Sequence, residues 1–245
     1  MTPRITAAVA RRVLVQLRRD HRTVAMMLLV PTLLLVLVWW IFDGEDAVFN
    51  RFGAPMLALF PFIVMFLVSS VTTLRERTSG TLERLLAMPL GKGDLLLGYA
   101  LAFSAVALLQ AAVAVAVAVG LLGLDVEGPL WMLFVVAVLD AVLGTALGLF
   151  VSAFATTEFQ AVQFMPAVVI PQILLCGLFV DRSALPAVLE AVSAVLPLSY
   201  AVEAMQEVQL NTAMDLDVVA DLVVVAGCAA AALALGAATL RRRTA

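Results

Sequence analysis

The chain has 245 residues, of which 64% are apolar and 13% charged, and its mean hydropathy is +1.09. A soluble domain is nearer half apolar, so the composition excludes a water-soluble globular protein and describes an integral membrane protein. The formal charge of −3 informs little as a total, because in a membrane protein the split of charge between the two faces carries the meaning. Cys176 and Cys228 both fall inside apolar segments and read as packing residues rather than a disulfide or metal pair.

Residues 1–22 carry six arginines: Arg4, Arg11, Arg12, Arg18, Arg19 and Arg22. At 100° per residue these fall within an arc of about 120°, with Ile5, Val9, Val13 and Leu17 opposite. The pattern predicts a basic amphipathic helix in the headgroup layer, drawn to anionic lipid by about 1 kcal/mol per basic residue near the surface. The apolar segment that follows ends in Trp39, Trp40, Ile41 and Phe42, not in the small residues of a signal-peptide cleavage site. His21, the single histidine, lies among the arginines as a headgroup contact, which excludes histidine-based proteolysis and a histidine-rich metal site.

About 20 apolar residues are needed to cross about 30 Å of hydrocarbon. Six segments meet this: 23–42, 55–73, 95–122, 130–154, 161–180 and 218–240, giving an all-α, six-span single domain over 1–245. Trp39, Trp40 and Trp131 sit near span ends, where interfacial aromatics belong. Thirteen of the fifteen basic residues lie in the N-terminal segment, the second connection and the tail, leaving only Arg51 and Arg182 for the other side. The basic side is therefore expected to be cytoplasmic, with both termini on it. The connection at 155–160 falls on that side too, yet carries no basic residue.

The second connection, 74–94, is a charged island between two apolar spans. Gly80 can open a short helix, Leu82, Leu85 and Leu86 make one apolar stripe, and Pro89 closes the helix at Met88. A two-turn helix is not stable alone in water, so this one is expected to pack against lipid or another protein. On the opposite side, 184–195 and 199–208 are helix-length apolar stretches separated by Pro197, each too short to cross. They predict an outer helical hairpin between spans five and six. No phosphate-binding glycine loop is present, since Gly91, Lys92 and Gly93 lack both the upstream glycine and the following hydroxyl residue.

Asp140 falls near the middle of span four, where a charge costs about 2.5 to 3.5 kcal/mol on the insertion scale. One reading is a proton or cation site. The other is packing, because Asp140, Gly144, Gly148 and Ser152 recur every four residues on one small-residue face.

The whole chain resembles the permease subunit of type-2 ABC exporters, a family that includes drug, lipid and polysaccharide exporters. The resemblance rests on the run from Arg75 to Leu86, on the stretch from Pro166 to Gly177 leading into Leu185 and Pro186, and on the run from Leu196 to Ala204. The chain departs from the family at Gly98-Tyr99, where a lysine often follows the glycine, and at Met205-Gln206, where an arginine is frequent.

The resemblance implies that Gly80, Thr81, Leu82, Glu83, Arg84, Leu85 and Leu86 form the segment on which a separate cytoplasmic ATPase docks. ATP and Mg would be bound by that partner, and no cofactor or catalytic residue by this chain. It also implies a dimer with a second copy or paralogue, in a bacterial cytoplasmic membrane, whose central path is lined by spans two and five: Phe60, Phe62, Phe66, Ser69 and Ser70, and Gln163, Phe164 and Gln172. The expected cargo is amphipathic or hydrophobic; nucleic acid is not an expected partner. The competing readings are a secondary transporter using Asp140 and a non-transporting membrane anchor.

Overall fold

The computed structural model describes residues 2–81, 85, 90–212 and 216–239, and every regular element among them is helical. Helix α1, Pro3–Arg19, begins with proline, whose missing N–H costs nothing in a first turn. Asp20 leaves helical geometry at φ −95, ψ 73 and caps the next helix, α2 (His21–Ile41), accepting from Thr23 N at 3.1 Å and Thr23 Oγ1 at 2.6 Å. Those hydrogen bonds hold its carboxyl below the ordinary value of 3.8.

Beyond it come α3 (Asp46–Thr78), α4 (Lys92–Gly120), α5 (Leu130–Ser152) and α6 (Glu158–Leu175). A 3-10 turn at Arg182–Ala184 leads to α7 (Ala187–Ser193), α8 (Pro197–Leu210) and α9 (Leu216–Thr239). Six of these, α2 to α6 and α9, are long and apolar enough to cross a membrane, while α7 and α8 form a pair bent by 87°. Helix α3 begins at Asp46 rather than 55 and runs 33 residues through Pro55 and Pro61. At 1.5 Å per residue it is about 50 Å long, so it projects beyond the hydrocarbon.

The fifth span ends earlier than apolar length suggested, at Leu175 rather than 180. Gly177 takes φ +90, the left-handed geometry that stops a helix, and Ser193 Oγ donates to the freed Leu175 carbonyl at 2.8 Å. Apolarity alone cannot separate such a buried turn from one more helical turn.

The bundle is built on α3 and α5, its most extensive pairing, which run in the same direction. Helices α4 and α9 pack on α5, and α2 and α6 on α3; α8 is wedged among α3, α5 and α9. Leu198, Ala201, Val202, Ala204 and Met205 of α8 are fully buried, so this half of the outer hairpin sits within protein. A Cβ on Gly144 would come 2.5 Å from the Phe62 carbonyl oxygen, and one on Gly148 would strike Ser69 Oγ and the Phe66 carbonyl. The four-residue recurrence thus matches four-residue steps along α3.

One expectation changes. Val9, Val13 and Leu17 of α1 are buried against α4 and its neighbours, where Gly98 leaves room for Val9: a Cβ there would lie 2.5 Å from Val9 Cγ1. The apolar face expected to lie in lipid is taken up by protein, and Arg4, Arg11, Arg18, Arg19 and Arg22 remain exposed.

Candidate functional site

The chemistry of the basic end gathers where α3 stops. Leu74 is buried, and the three residues after it reach in different directions. Arg75 forms a two-pronged pair with Glu158, at 3.0 and 3.2 Å, on the first turn of α6. Both partners are at least half exposed, so the pair fixes geometry more than it stabilises. Arg77 donates to the Ala153 carbonyl at 2.9 Å and to the Ala155 carbonyl, placing its charge at the C-terminal end of α5. The 155–160 connection, which has no basic residue of its own, is therefore held by two arginines of α3.

Glu76 points the other way. It is 5% exposed, and its Oε2 accepts from Arg12 Nη2 of α1 at 2.7 Å and from the Tyr99 hydroxyl of α4. Arg12 Nη2 also donates to the Tyr99 oxygen at 2.6 Å, closing a ring of three groups from three helices. A buried carboxylate is tolerable only with such partners. At the start of α4, Asp94 Oδ1 accepts from Thr2 N at 2.9 Å and Thr6 Oγ1 at 3.1 Å. Helix α1 is thereby bonded to both the helix that enters the island and the helix that leaves it.

Within the island, Gly80 has φ +72, and Ser79 Oγ lies 3.0 Å from Thr81 Oγ1. Thr81 and Leu85 are half-buried, and Leu85 packs against the cluster containing Val13, Leu90 and Tyr99. Leu82, Glu83, Arg84 and Leu86, which the sequence reading placed on the docking helix, lie outside the described residues, as do Ala87, Met88 and Pro89.

The residues assigned to a central path are divided by the fold. Phe62, Phe66, Ser69 and Ser70 are fully buried between α3 and α5, and Ser69 Oγ donates to the Phe66 and Thr145 carbonyls at 3.2 Å. They are packing groups of one chain's interior. Gln172 is also buried; its Nε2 donates to the Val168 carbonyl at 3.0 Å, and its Oε1 accepts from Leu198 N at 3.4 Å. Phe60 and Phe164 are half-buried, and Gln163 is exposed on α6. Asp140 is fully buried, and neither carboxyl oxygen has a hydrogen-bond partner among the described residues.

The acidic end has its own ties. Arg182 donates to Ser193 Oγ at 3.1 Å, pairs with Glu203, and lies 4.9 Å from the centre of the Tyr200 ring. Asn50, Asp125 and Gln209 bind one another across α3, the α4–α5 connection and α8.

Sequence reading passed over Arg12, Glu76, Tyr99 and Asp94 as a group. One signal was available: Arg12 projects to the edge of the arginine arc, about 60° from Val9, so it borders the buried face. Its partners lie 64 and 87 residues away, beyond any local pattern.

The family model for ABC-2 type transporters matches residues 4–210, from α1 through the end of α8. ABC transporter G family member 20 of Dictyostelium discoideum is 27% identical over 172 residues, which is 70% of this chain and 24% of that protein. The probable multidrug ABC transporter permeases YbhS and YbhR of Escherichia coli strain K12 are 28% and 26% identical over 149 and 164 residues. Those matches cover 60% and 67% of this chain and 40% and 44% of theirs. The chain spans less than half the length of these relatives.

Proposed function

We propose that this chain, which belongs to the ABC-2 type transporter family and is a multi-pass permease chain of it, is the membrane subunit of an ATP-driven exporter. A separate cytoplasmic ATPase, carrying ATP and Mg, docks on 80–88, and two permease chains work together in a bacterial cytoplasmic membrane. The cargo is an amphipathic or hydrophobic compound, in keeping with the multidrug permeases among its relatives.

The observation that carries this reading is the fan of Arg75, Glu76 and Arg77 at the end of α3. A push on the segment beginning at Gly80 reaches a 33-residue helix that is tied sideways to α1, α4, α5 and α6. Force applied there is shared by the bundle rather than absorbed in a loop. Leu82, Leu86 and the part of Leu85 not packed against the Val13, Leu90 and Tyr99 cluster supply apolar contact to the ATPase, and Glu83 and Arg84 set its register.

The test is affinity purification of the chain from its own membranes, followed by transport in vesicles. An ATPase should co-purify, and Glu83→Arg should weaken that association or leave ATP hydrolysis running without export. Normal co-purification and parental transport by that variant would remove Glu83 from the role; silence of Leu82→Ala and Leu85→Ala would remove the helix. Orientation is tested by impermeant labelling of single cysteines: position 92 should be silent from outside intact cells and position 182 reactive.

A second reading, secondary transport, draws on the unpartnered Asp140 carboxyl. Transport that depends on a proton gradient, with no ATPase, and that is abolished by Asp140→Asn would favour it.

A further inference from the structure

Helix α1 bridges the two ends of the island. Arg12 is bonded at the end of α3, and Thr2 and Thr6 at the start of α4. Thr2 and Arg12 are ten residues apart, about 15 Å along a helix, so one rigid element joins the two anchors. Each anchor uses a carboxylate that is almost wholly buried: Glu76 at 5% and Asp94 at 4% exposure.

Both carboxylates stand close to the segment itself. Glu76 is one turn before Gly80, and its carbonyl accepts from Ser79 Oγ at 3.1 Å. Asp94 leans over Gly91, where an added Cβ would sit 2.8 Å from Asp94 Oδ2. Helix α1 is also held along its apolar face, with Val9 seated on Gly98 and Val13 and Leu17 buried in the same cluster.

We infer that α1 is a strap whose two anchors, Glu76 with Tyr99 and Asp94, set the spacing between the end of α3 and the start of α4 and so fix where the connection opens at Gly80 and Thr81. Glu76 and Asp94 are positioning residues; neither needs to touch an ATPase or cargo. The inference rests on the coupling role proposed above for the 80–88 segment. Plain structural glue makes a different prediction: loss of an anchor lowers thermal stability and leaves the intact protein's segment where it was.

The experiment uses the full chain with Cys176 and Cys228 replaced by alanine and a single reporter, Thr81→Cys, labelled with a maleimide in detergent. Glu76→Gln and Asp94→Asn, which keep side-chain shape, should each raise the labelling rate at position 81 at least threefold without changing elution volume. The charge exchange Arg12→Glu with Glu76→Arg should return the rate towards the parent's. Where Glu76→Gln fails to fold, Tyr99→Phe removes one hydroxyl from the same anchor and is read in the same way. Unchanged labelling in folded anchor variants overturns the strap.

A second arm measures ATP hydrolysis by the co-purified complex. Anchor variants should retain the ATPase but alter its rate at least twofold, a change that stability alone does not cause in an intact complex; a parental rate counts against the inference. If no ATPase co-purifies with the parent, the exporter reading fails, and labelling at position 81 still decides whether α1 sets the segment's position.

Discussion

Helices α5 and α2 are both long, apolar spans, yet they live in different surroundings. In α5, 61% of the most apolar 18 residues are buried within the chain, against 17% in α2. Helix α5 presents Gly144 and Gly148 to α3, whereas α2 turns Met26, Leu29, Leu33, Leu37 and Trp40 outward. In lipid, apolar side chains gain nothing by leaving their surroundings for each other, so close backbone approach and interhelical polar contacts choose the centre of the bundle. Small residues are necessary for this but do not suffice. Helix α9 is rich in alanine and glycine, and Gly227 has nothing within 4 Å of where a Cβ would stand.

The sharpest way to break the comparison is a leucine at a central glycine. Gly148→Leu must displace the Phe66 backbone, so it should cost at least about 3 kcal/mol and abolish recovery of folded protein. Gly227→Leu should leave elution and thermal midpoint unchanged. If both variants fold equally well, the α3–α5 seam is not the core. Next in size, Phe66→Ala should destabilise by about 3 to 5 kcal/mol in a thermal melt, and Leu174→Ala on exposed α6 by under about 1 kcal/mol.

A smaller effect is expected at the α1–α2 junction. Asp20→Asn weakens a cap worth about 1 kcal/mol at most, because the site is exposed. The Asp20 carboxyl is depressed in the folded chain by the Thr23 hydroxyl and N–H, so its contribution is present in full above the unfolded value near 3.8. It should vanish as pH falls through the lower folded value, and the stability gap between parent and Asp20→Asn should close in that window and nowhere above it. A small change is also expected from Asp140→Asn. No partner among the described residues is lost and an amide fits the same space, so Asp140→Asn should still fold, read by elution volume and thermal midpoint. A large drop would mean that the carboxyl has a partner in the assembled protein.

Much of the fold was open to a reader of the sequence. The long spans follow from apolar length, because a chain in hydrocarbon must satisfy its own backbone and the helix does so locally. The Gly144 and Gly148 face also follows from spacing, since a four-residue recurrence needs only the helical period to be seen. The hairpin was visible in two short apolar runs and Pro197, although the burial of its second helix, α8, among α3, α5 and α9 was not. The candidate site was less legible: the island stands out by charge, but the path residues were chosen by residue type, and type does not say whether Phe62 or Ser69 faces a channel or a neighbouring helix.

By itself, then, the sequence determined what depends on apolar length and charge along the chain: where spans run to within a few residues, and where charge collects. Tertiary structure alone decided which apolar face meets protein. It seated α1 on Gly98 instead of in lipid, joined Arg12 to Glu76 across 64 residues, and gave the 155–160 connection the arginines it lacks. The physical reason is that these outcomes rest on close approach and on pairing of buried charge. Both depend on how several helices pack at once, and no period or composition within one helix encodes that.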